Sequence, residues 1–82
     1  MNNVRNIRES LFKLRSSLES RGCHEQAVFF EMLEEKSEEI EEWCYTVRGV
    51  GKMAGYFDFT PDEQEEVRNL LMEVVSFFAA MD

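Results

Sequence analysis

Val4, Ile7, Leu11, Leu14 and Leu18 recur at alternating steps of three and four residues. Only an α-helix brings such positions to one side. At 100° per residue they fall within an arc of about 80°, the narrow seam of a coiled-coil-like contact. No segment of comparable length alternates with a period of two, so the chain reads as all-α. Its punctuation is sparse: four glycines and one proline in 82 residues. Gly22 stands where a helix C-cap belongs and bounds a first helix at about residues 2–20.

A second helix is expected over about residues 24–47. Phe29, Met32, Leu33, Ile40, Trp43, Cys44 and Val47 form a stripe about 120° wide on its wheel. Glu31, Glu34, Glu35, Glu38, Glu41 and Glu42 occupy the opposite side, while Lys36 falls inside the stripe and must snorkel or pair. Gly49 and Gly51 end this helix, and residues 49–59 form a Gly-containing loop, longer than the usual 2–8 residues.

The third helix, at about residues 61–81, has the clearest start signal. Thr60 is the N-cap, Pro61 takes the first helical position, and Glu63 completes a capping box. Val67, Leu71, Val74, Phe78 and Met81 repeat the seam, and Leu70, Val75 and Phe77 widen it. With Met72 and Ala79 the apolar arc exceeds about 200°, roughly twice what one core contact requires. Surplus apolar surface of this kind marks an interface. The expected architecture is a single domain over residues 1–82, a three-helix antiparallel bundle whose first two helices form a hairpin. It is expected to assemble as a homodimer through helix 3, with Leu70, Val74, Phe77, Phe78 and Met81 at the contact.

The formal charge of −8 is unevenly spread. Residues 1–22 carry five basic and two acidic groups, whereas residues 23–46 carry one basic and eight acidic. A basic first helix can therefore fold back on an acidic second one. The net excess argues against direct nucleic-acid binding, which works by neutralising phosphates, and against adhesion to anionic membranes. No leader segment and no apolar run near the ~20 residues of a membrane span is visible, so a cytoplasmic location is expected.

Chemistry-bearing sets are thin. Cys23 and Cys44, 21 residues apart on one helix, would be separated by about 31 Å and could not bridge. With His24 they cannot close a zinc site in a single chain. Gly49-Val50-Gly51-Lys52 lacks the earlier glycine and the following Ser or Thr of a phosphate loop. The same loop does group Lys52, Tyr56 and Phe57, a basic and aromatic set suited to gripping a partner. No catalytic residue, metal or cofactor is expected.

Glu34-Glu35-Lys36-Ser37-Glu38, followed by Glu66-Val67-Arg68-Asn69, resembles the E-E-x-x-E and E-x-x-D helices of all-α MazG-like nucleoside triphosphate pyrophosphatases. The resemblance implies Mg²⁺-dependent nucleotide hydrolysis. It covers two short segments, and Asn69 stands where that pattern has a metal-binding aspartate.

The largest feature is the acidic face Glu31, Glu34, Glu35, Glu38, Glu41 and Glu42. On one helix it would present a charge every ~5–6 Å, near the ~7 Å spacing of phosphates along a strand. The function expected is a non-catalytic acidic module that binds a basic, nucleic-acid-handling protein and inhibits or chaperones it. Anti-CRISPR-like phage inhibitors, antitoxins and immunity proteins share that size and charge. The alternative is a secretion-type chaperone or structural adaptor that binds through the apolar face of helix 3.

Overall fold

The N-terminal seam forms α1, Asn2–Ser20, whose Ile7, Leu11, Leu14 and Leu18 are all buried. The computed structural model describes residues 2–35, 39–52 and 54–81, apart from the side chains of Asn2, Ala54, Tyr56 and Met81. α1 closes in a Schellman motif. The Cys23 N–H donates to the Leu18 carbonyl at 2.8 Å, and the Gly22 N–H to that of Glu19 at 3.1 Å. Gly22 sits at φ +81°, a left-handed conformation that a Cβ disfavours. An added Cβ would meet no neighbour within 4 Å, so Gly22→Ala adds backbone strain and nothing else. We expect it to lower the unfolding free energy by about 1 kcal/mol, read as an earlier urea midpoint with unchanged slope.

Arg21, Gly22 and Cys23 reverse the chain into α2, His24–Glu35, which runs antiparallel to α1: Arg8 near the start of α1 reaches the Glu34 carbonyl at the end of α2. The expected helix over residues 24–47 is not continuous. A separate helix, α3, spans Ile40–Arg48, and Glu39 precedes it with extended backbone at φ −109° and ψ 100°. The cause is a mismatch of phase. α2 buries Ala27, Phe30 and Leu33, whereas α3 buries Trp43, Cys44 and Val47. On one straight helix those two sets would point about 90° apart, so only one could face the core. Breaking the helix lets both do so. The Trp43 indole N–H then donates to the Leu33 carbonyl across a buried 2.6 Å contact, satisfying an acceptor in the last turn of α2. The stripe expected from sequence is correspondingly misphased: Phe30 is fully buried in place of Phe29, and Met32 is 56% exposed. Lys36 lies outside the described residues, as do Ser37 and Glu38.

The expected loop 49–59 is also partly helical, with a 3-10 turn at Gly49–Gly51 and a short α4 at Ala54–Phe57. Gly51 allows that turn to approach the C-terminal helix closely, since a Cβ there would come within 2.9 Å of Leu71 Cδ1. Phe57 turns inward. Its ring centroid lies 5.2 Å from those of Phe30 and Phe59 and 5.5 Å from that of Phe29. α5, Pro61–Met81, starts at the expected capping box: the Glu63 N–H donates to Thr60 Oγ1 at 3.2 Å, and the Thr60 N–H to the Glu63 carboxylate at 3.0 Å.

α1 is the central element. It packs against α2 on one side and α5 on the other, and α3 closes against α5. One buried cluster draws on every helix and on the 3-10 turn. The described residues contain helices and no strand.

Candidate functional site

Which acids remain for a partner depends on how many the fold itself uses. α1 bears a polar stripe on each edge of its apolar seam. On one edge Arg15 Nε donates to the Glu34 carboxylate at 2.6 Å, and Arg8 reaches the Glu34 carbonyl at 2.9 Å. The Glu34 bond raises the pKa of the Arg15 guanidinium above its usual value. On the other edge Asn3, Ser10 and Ser17 recur every seven residues and face α5. They donate to Glu73, Glu66 and Glu63 at 3.0, 2.9 and 2.5 Å. A seven-residue step returns to nearly the same helix face, so three small polar side chains meet three acids of an antiparallel neighbour.

Arg21 ends that ladder. Its Nε donates to Glu63 Oε2 at 2.9 Å, its Nη2 to Oε1 at 2.6 Å, and Nη2 also reaches the Asp58 carbonyl at 3.2 Å. The Glu63 side chain is 1% exposed. Burial by itself would push its carboxyl up. The donors Arg21, Ser17 and the Thr60 N–H outweigh burial and hold it at about 2. The local sequence places Glu63 in the capping box but does not show its pairing with Ser17 and Arg21. The visible signal was the seven-residue recurrence of Asn3, Ser10 and Ser17 beside the seam.

Two of the acids are therefore internal. Glu34, expected on the open acidic face, is half-buried against Arg15, and Glu63 is fully buried. Glu31 and Glu35 on α2 and Glu41 and Glu42 in the first turn of α3 are exposed, and among the described residues none of the four forms an ion pair. Glu39 joins them as an exposed acid that the sequence reading omitted. The acids do not form a single row along one helix, because the extended backbone at Glu39 separates those of α2 from those of α3. Glu38 lies outside the described residues.

The remaining expected sites separate in the same way. In the connector Lys52 is exposed, Phe57 belongs to the aromatic core, and the Tyr56 side chain is not described, so Phe57 cannot anchor a partner. On α5, Leu70 and Val74 are buried in the chain's own core, and Phe77 and Phe78 pack half-buried against it. Among the described residues, the large apolar side chains that α5 exposes are Met72 and Val75. Beside Val75 a groove of about 540 Å³ runs between α3 and α5, lined by Glu41, Tyr45 and Arg48 on one wall and Val74, Val75 and Phe78 on the other. Tyr45 and Phe78 meet across it with ring centroids 4.7 Å apart.

Among the described residues no group of three or more His, Cys, Asp or Glu side chains gathers as a metal site would require. Of the acids in the pyrophosphatase-like segments, Glu34 is held by Arg15 and Glu66 by Ser10. Cys23, in the turn before α2, and Cys44, on α3, are free thiols, and burial pushes the Cys44 thiol up. No described helix is long and apolar enough to cross a membrane. The chain matches no family model, no curated protein and no solved structure.

Proposed function

We propose that this chain is a non-catalytic acidic binding module that engages a basic protein, of the kind that handles nucleic acid, and inhibits or chaperones it. One observation carries the reading. After Arg15 of α1 and Arg21 of the following turn have neutralised Glu34 and Glu63, the exposed acids Glu31 and Glu35 on α2, Glu39 just ahead of α3, and Glu41 and Glu42 on α3 are left without an ion pair among the described residues. Anti-defence inhibitors, antitoxins and immunity proteins are the functional types this charge fits.

The test reverses charge on exposed side chains that make no ion pair among the described residues. Glu31→Lys, Glu35→Lys and Glu42→Lys together change the formal charge from −8 to −2 and disturb no internal pair. In a pull-down from native-host extract, the captured basic protein should be released at about 0.5 M salt, where exposed charge contacts are screened. The triple variant should fail to capture it even at low salt. Equal capture by the variant would sink the proposal.

We also read the chain as a homodimer that uses the exposed side of α5. A secretion-type chaperone or adaptor would present the same side to a foreign helix, and the oligomeric state in solution separates the two.

A further inference from the structure

Glu41, Tyr45 and Arg48 stand at i, i+4 and i+7 on one exposed stripe of α3, forming one wall of the groove against α5. The acid and the base are separated by about 10.5 Å along the helix axis, with the aromatic ring between them. This stripe differs from the rest of the acidic surface, because it carries one charge of each sign. A negative end, an aromatic centre and a positive end are complementary to the same sequence of groups read backwards. Rotating a second copy by 180° about an axis near Tyr45 brings Glu41 of each chain to Arg48 of the other, the reciprocal arrangement a two-fold interface demands.

We infer that the α3–α5 groove is occupied by a second copy of this chain, with the two α3 helices antiparallel around Tyr45 and two reciprocal Glu41–Arg48 pairs. The inference rests on the homodimer reading above and names its interface. Two further observations favour a second copy over a foreign basic segment. The groove wall is charge-balanced, so nothing in it selects a basic occupant. Tyr45 and Val75, 59% and 64% exposed, both line the groove, and Met72, 67% exposed, stands one turn before Val75 on α5. A two-fold contact through the groove covers Tyr45 and Val75 in both copies. The mutual repulsion of two −8 chains is screened beyond about 8 Å at physiological ionic strength, whereas the direct pairs are not.

Sedimentation equilibrium over a concentration series tests this with exposed side chains only, and circular dichroism checks that each variant folds. The wild-type chain should dimerise. Glu41→Arg and Arg48→Glu should each weaken the dimer at least about ten-fold, since every reversal acts twice in a two-fold interface. Combining them re-creates the pairs with signs exchanged and should return the affinity to within a few-fold of wild type. Tyr45→Asp should leave a folded monomer. A wild-type chain that stays monomeric overturns both the dimer reading and this interface. A dimer indifferent to the four variants overturns the interface alone, and so does failure of the double variant to recover.

Discussion

Arg21→Ala will lower the unfolding free energy, because it strips the guanidinium from a buried carboxylate. The carboxylate left behind carries the penalty. Glu63 is 2% exposed, and without the guanidinium it keeps only Ser17 and the Thr60 N–H as donors. The effect has a pH signature. Because the Glu63 carboxyl is lowered from 4.5 to about 2 in the folded chain, its contribution is fully present above pH 4.5 and is lost as the pH falls toward 2. Integrated over that window, the contribution is on the order of 3 kcal/mol. Glu63→Gln retains the shape but not the titration. The stability difference between wild type and Glu63→Gln should therefore be constant near neutrality and shrink steadily below pH 4.5. Denaturant unfolding followed by the fluorescence of Trp43, the single tryptophan, measures both variants. A difference independent of pH down to 2 would show that the ionised carboxylate is not what stabilises the fold.

Trp43→Ala will cost about 3–5 kcal/mol, since the indole is 3% exposed and its removal leaves a large cavity. Trp43→Phe is the more informative change. It retains most of the ring but removes the N–H that donates to the Leu33 carbonyl, taking a donor from a buried acceptor at a cost of about 1–3 kcal/mol. Far-UV circular dichroism should follow the unfolding, because the variant lacks the fluorescent reporter. Loss of the bond should also speed amide exchange at the start of α3 more than in α1. A cost under about 0.5 kcal/mol would mean that the break between α2 and α3 stands without the indole bond.

These two groups show where the sequence was legible. α1 and α5 could be read almost to the residue, because each has a long seam bounded by a local signal: Gly22 in a left-handed cap, and Thr60-Pro61 with its capping box. Those signals depend on a few neighbouring residues and on no distant contact. The region between them was misread for an opposite reason. Its apolar residues fit one continuous wheel tolerably well, and nothing local indicates that Phe30 rather than Phe29 must face α1, or that Trp43 returns to Leu33 ten residues earlier. The same limit applies to the acids. Composition shows that the second segment is acidic, but Glu34 and Glu35 are indistinguishable until α1 sets Arg15 beside one of them.

The sequence alone determines that this chain is helical, where its first and last helices begin and end, and that its charge is concentrated away from the N-terminus. Periodicity, capping and net charge act over one or two turns, so they survive without knowledge of the fold. Tertiary structure decides the rest. It breaks the middle helix to bring two apolar faces 90° out of phase onto one core. It consumes Glu34 and Glu63 in pairing with α1, buries Phe57, Leu70 and Val74, and leaves Glu41, Tyr45 and Arg48 along an open groove. Burial and pairing are properties of neighbours distant in sequence, and only the packed helices bring those neighbours together.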